Sequence, residues 1–170
     1  MFGRAPKLPA ALRPAFDSGE RVLAWTPAGD ERVVVVTNRG LWLPDRSRLG
    51  WHEIHKATWA DGVLTVTGAS MVAAASGDDY SIVTDAPPVR ITLADPGKVP
   101  QRIRERVTAS VAYTSLYPVP GGGSARVVGR RVSGRDGLRW SVRFEGAAVQ
   151  SQDDPAVRAA VDQFVAEAKS

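Results

Sequence analysis

The chain contains no cysteine. That excludes disulfides, thiolate zinc sites and thiol nucleophiles, and it suits a reducing compartment. Histidine is nearly as scarce, with only His52 and His55, so a transition-metal site would need carboxylates from elsewhere. Long apolar runs are missing too. The longest uncharged stretch, 107–125, holds Pro118, Pro120, three consecutive glycines and several hydroxyls, which is incompatible with a membrane span. The opening residues lack the continuous apolar segment of a secretory signal. A cytoplasmic protein is therefore expected, with no cofactor and no bound metal. Catalytic signatures are lacking as well. There is no Gly-x-Ser-x-Gly elbow and no His-Glu-x-x-His, and the glycines at 121–123 precede a strand-like run, not the helix a phosphate loop needs.

What is present points to one domain, or one domain with an appended lobe, since a chain of 170 residues buries roughly 70% of its unfolded surface. The net charge of +4 is unevenly placed. Between residues 98 and 143 stand ten basic side chains against two acidic ones, Glu105 and Asp136. Such asymmetry marks either a polyanion-binding face or a solvated, arginine-rich surface.

Leu8, Leu12 and Phe16 stand four apart and suggest a short amphipathic helix broken by prolines. Residues 21–26 read as a strand with Val22, Ala24 and Thr26 on one face and Leu23 and Trp25 on the other. The valines of 32–37 suggest a strand buried on both faces. Asn38 and Gly40, both tolerant of left-handed backbone angles, then predict a tight hairpin into Leu41–Leu43. Further short strands follow at 48–51, 54–59, 63–67, 71–75, 80–83 and 89–93, with Asp61-Gly62 and Gly77-Asp78-Asp79 as turns. The period then changes. Val99, Ile103 and Val107 stand four apart among basic residues and predict a helix over 98–109. A strand at 110–117, a hairpin of 126–132 with 138–144, and a helix opened by Asp154-Pro155 complete the chain. The fold class is α+β: an antiparallel barrel or sandwich of about seven short strands with a capping helix over 1–112, then a β-hairpin and C-terminal helix over 113–170.

Gly19-Glu20, the Thr37 to Leu41 hairpin and the Trp51 to Ile54 step together resemble the opening of bacterial pleckstrin-homology-like domains. The resemblance covers about residues 17–110. The remainder is similar to a tail found in actinobacterial proteins of this size. The resemblance implies a scaffold that binds and rarely catalyses. Eukaryotic relatives hold inositol phosphates with basic residues in the first hairpin loop, but here that loop, 27–32, sets Arg32 against Asp30 and Glu31. Other relatives bind peptides beside the sheet and capping helix.

The candidate chemistry is sparse. His52 and His55 would face one metal only on a helix, and on a strand they point apart. The sharper feature is Arg126, Arg130, Arg139 and Arg143, on paired arms of one hairpin. Sharing a solvent face, they would form a cationic stripe able to meet phosphates in bidentate fashion. Arg131 has the opposite parity and would join them only if Gly129 formed a bulge. The function expected is a non-catalytic module engaging a protein partner or a second copy of itself. Binding of nucleic acid or an anionic membrane surface through the arginine hairpin is the alternative.

Overall fold

A computed structural model describes residues 7–74 and 79–170. The architecture is α+β. A four-stranded antiparallel sheet runs β1 (Val22–Pro27), β2 (Val33–Thr37), β3 (Gly40–Trp42) and β4 (Arg48–Gly50) in that order. All five residues of β2 are buried. Val34 and Val36 face one core with Leu41, Ile54, Leu64 and Ile103. Val33 and Val35 face the other way onto Trp42, beneath Leu8, Leu12 and Phe16. The expected two-sided burial is thus provided by the N-terminal segment, which forms only a single 3-10 turn at Ala10–Leu12. A bulge between Val22 and Ala24 changes the expected faces of β1. Leu23 and Ala24 both turn to the main core, and Val22 and Trp25 turn away from it.

The β2–β3 hairpin forms, but not for the reason the sequence suggested. Neither Asn38 nor Gly40 has a positive φ. Asn38 works through its side chain, accepting from Arg21 N at 2.7 Å and donating to Gly19 O at 3.1 Å. Gly40 is required because β4 passes so close that a Cβ there would collide with the Leu49 carbonyl oxygen.

The second sheet has seven strands. β5 (Ile54–Ala60) and β6 (Val63–Ala74) are joined by Asp61-Gly62, both left-handed, as the two-residue turn predicts. The segments expected at 63–67 and 71–75 are, over the described residues, one strand, with Ala75 outside the described residues. Its first half pairs with β5 and β8 (Val89–Thr92), and its second half with β7 (Ser81–Asp85). Of the turn expected at 77–79, Gly77 and Asp78 lie outside the described residues. Helix α1 (Val99–Ser110) closes the first core with Val99, Ile103 and Val107, the predicted stripe. No strand pairing joins the two sheets among the described residues, so they curl over the core as a half-barrel.

Strands β9 (Val111–Pro118), β10 (Ser124–Arg131) and β11 (Leu138–Glu145) form an antiparallel meander. Helix α2 (Pro155–Lys169), capped by Asp154 accepting from Ala156 N at 2.9 Å, lays Val157, Val161 and Val165 on Ala125, Val127, Val142 and Phe144. One feature departs from the expected antiparallel pattern: β11 pairs with β7 in parallel, Ser141 with Ser81 and Val142 with Ile82. That pair fuses the meander to β6, and Tyr80 and Ile82 join the second core. No helix among the described residues is long and apolar enough to cross a membrane.

Candidate functional site

Glu20 anchors the region where the two parts of the chain meet. Its side chain is fully shielded from solvent. One carboxylate oxygen accepts from Asp17 N at 2.9 Å and from an Arg48 guanidinium nitrogen at 2.8 Å. The other accepts from the Thr37 hydroxyl at 2.6 Å and the Trp42 indole at 2.9 Å. Burial pushes its pKa up, but these donors together with the Arg48 charge outweigh it and hold the carboxyl below its usual range. Trp51 donates its indole N–H to Thr37 O at 3.0 Å, so three residues that carried the family resemblance form one network.

The network positions Arg39 on the β2–β3 turn. Arg39 Nη1 donates to Ser133 O at 3.0 Å, at the tip of the β10–β11 hairpin. Gly134 lies against the same guanidinium, and a Cβ there would overlap it. The tip is therefore strapped to a turn 94 residues earlier in the chain.

The register pairs Arg126 with Arg143 and Arg130 with Arg139, so the four arginines do share one face. They do not make an unbroken stripe. Arg126 Nε binds Glu145 at 2.8 Å. Arg143 makes two bonds to Asp85, at 2.8 and 2.9 Å. The His55 contact to Asp85 at 2.8 Å and the Arg143 charge hold that carboxyl below its usual range against burial. Arg130 is half-buried and donates to Ile54 O at 3.0 Å and Ser110 Oγ at 3.1 Å, which ties the hairpin to the half-barrel. Only Arg139 is exposed, with one long contact of 3.4 Å to His52 Nε2. Gly129 forms no bulge against β11, so Arg131 points the other way. It donates to Ala109 O and Val111 O at the end of α1, and the irregularity falls instead on β9 beside Ala112.

The two histidines are not brought together. His55 is held by Asp85. His52 lies under Arg139, and burial lowers its pKa against the attraction of Glu53, with repulsion from Arg139, Arg130 and Arg135 acting in the same direction as burial. Among the described residues no group of three or more histidine or carboxylate side chains is arranged to hold a metal.

Among the pockets of the described residues, two cavities and one trough lie beside these elements. A cavity of about 560 Å³ separates the end of α1 from the hairpin tip, with Arg106, Arg131 and Arg135 in its walls. One of about 350 Å³ lies between the tip and the β2–β3 turn, where Arg39, Arg48 and Arg135 meet Asp17 and Glu53. Arg135 lines both. The open trough, about 700 Å³, runs between β5 and α1, over Trp59, Pro96, Pro100, Arg104 and Thr108. Arg39, Arg106 and Arg135 were not singled out from the sequence. The charge count over 98–143 includes two of them, but their convergence depends on a long-range docking that no local pattern encodes. Comparison with family models, curated proteins and solved structures returns no match for this chain.

Proposed function

We propose that this protein is a non-catalytic, pleckstrin-homology-like binding module that takes up an extended segment of a partner protein along β5. The observation that carries this is the unpaired edge of β5, a strand whose Trp59 lines the trough. β5 pairs only with β6, and its other edge has no strand partner among the described residues. Unpaired backbone groups on such an edge invite strand addition. The trough supplies what a peptide would need beside it. Pro100, Gln101, Arg104, Glu105 and Thr108 present one face of α1, and Trp59 is a half-exposed apolar floor. From Gly97 to Thr108 the helix side spans roughly 17 Å at about 1.5 Å per residue, room for about five extended residues. Arg104 and Glu105 offer both signs of charge to flanking side chains. The fold-family assignment is supported by the half-barrel, its capping helix and the Glu20–Thr37–Trp51 network.

A polyanion laid along the hairpin arms has less to support it, because Arg126 and Arg143 already hold carboxylates. The test of the strand-addition mode is peptide selection against the whole chain, repeated with Thr108→Trp. Thr108 is exposed, so the indole should fill the trough without disturbing the core. Selected peptides should bind the parent chain and lose at least about tenfold in affinity with the variant. Peptides that bind both equally would place the partner elsewhere.

A further inference from the structure

We infer that the cavity between α1 and the hairpin tip is a binding site for a small phosphate monoester with an apolar or aromatic body. The site is separate from the β5 trough and does not depend on strand addition there. Three arginines line it from two elements, Arg106 from the helix and Arg131 and Arg135 from the hairpin. Asp136 is the one carboxylate in its walls. Arg131 spends one nitrogen on the carbonyls that end α1. Arg106 and Arg135 have no side-chain hydrogen bond or ion pair among the described residues, unlike Arg126, Arg130 and Arg143, which all hold acceptors. Like charges gathered against a protein wall raise the local potential and draw in an anion.

The shape and chemistry of the walls narrow the class further. A carboxylate is satisfied by one bidentate arginine, whereas a dianionic tetrahedral head uses donors from several directions. The buried Trp51, with Val132 and Leu138, also lines it. An anionic head among the arginines therefore leaves its body against apolar surface. About 560 Å³ falls within the roughly 300–1,000 Å³ of small-molecule sites.

The probes are phenyl phosphate, inorganic phosphate and benzyl alcohol, titrated calorimetrically into the whole chain while the Trp51 indole N–H resonance is followed. Phenyl phosphate should bind saturably, more tightly than either fragment, and shift the Trp51 signal. Arg106→Ala and Arg135→Ala should each weaken it at least about tenfold, and Arg126→Ala, outside the cavity, should not. Arg135→Lys, keeping charge without the fork, should fall between. Vesicles containing phosphatidic acid distinguish the source. Retention competed by phenyl phosphate assigns the head to a lipid, and ester binding without retention assigns it to a soluble compound. Either upholds the site. No saturable binding of phenyl phosphate at millimolar concentration, equal affinity in the Arg106 and Arg135 variants, or equal binding of benzyl alcohol overturns it.

Discussion

The Thr37 hydroxyl donates to the Glu20 carboxylate at 2.6 Å in a site from which water is excluded. The same hydroxyl accepts from Arg39 N and Gly40 N, both at 3.1 Å. One carboxylate therefore organises the strand entry, the hairpin turn and the arginine strap. Removing it would leave the Trp42 indole without its acceptor, the Thr37 hydroxyl with only the longer bond to Gly40 O, and Arg48 with Asp17 alone. Glu20→Ala is expected to cost about 3–5 kcal/mol, and Glu20→Gln, which keeps one acceptor oxygen, less. Denaturant unfolding of the two variants checks this, and a loss under about 1 kcal/mol in Glu20→Ala would show the network to be dispensable.

Acid should act on the fold in two steps. His52 has a folded pKa below its ordinary 6.5, so the unfolded chain binds the proton more readily. Its contribution is complete above about pH 6.5 and is lost as pH falls through the lower folded value. Glu20 and Asp85 are depressed from 4.5 and 3.8. Their contribution is present above those values and disappears as pH drops through the folded ones. Stability measured from pH 8 to 3 should fall first near neutrality, then again in acid. His52→Gln should remove the first step and leave the second, and an unchanged first step would assign it to another group.

Two glycines should respond unequally to the same replacement. Gly62 has φ +76° with open space around it, whereas Gly40 has ordinary backbone angles and the Leu49 carbonyl against it. Asparagine tolerates the left-handed region, so Gly62→Asn should cost no more than about 1 kcal/mol. Gly40→Asn must displace a neighbouring strand and should cost more than about 2 kcal/mol. Comparable losses at both sites would mean that turn conformation, not strand proximity, demands Gly40.

The fused sheet should make the two cores unfold together. Ile103 and Val161 are both fully buried, one in each core. Ile103→Ala should cost about 2–5 kcal/mol, and Val161→Ala a smaller amount. Each should shift one common transition seen by both fluorescence and circular dichroism. Separate transitions, each moved by one variant alone, would show that the β7–β11 pairing does not couple the cores.

Much of the fold was legible because it is written in local periods. The valines of β2, the Asp61-Gly62 turn, the four-residue spacing of Val99, Ile103 and Val107, and the Asp154-Pro155 start each encode their element directly. What stayed hidden depends on partners distant in sequence. A bulge reassigned the faces of Leu23 and Ala24, β6 proved continuous, and the parallel pairing of Ser81 with Ser141 has no local signature. The same holds for the site. The common face of Arg126, Arg130, Arg139 and Arg143 follows from alternation, but their acceptors do not. Asp85 stands 58 residues from Arg143, and Ile54 stands 76 from Arg130. Those contacts make two of the four candidates ion-paired supports and a third a half-buried tie, whereas Arg106 and Arg135, in the cavity walls, have no side-chain hydrogen bond or ion pair among the described residues.

Backbone amide exchange across residues 54–60, measured with and without a selected peptide, tests the strand-addition account most directly. Alternate amides of β5, those not already paired to β6, should slow by about tenfold or more when the peptide binds. Tight binding that leaves every β5 amide exchanging at its free rate would contradict it.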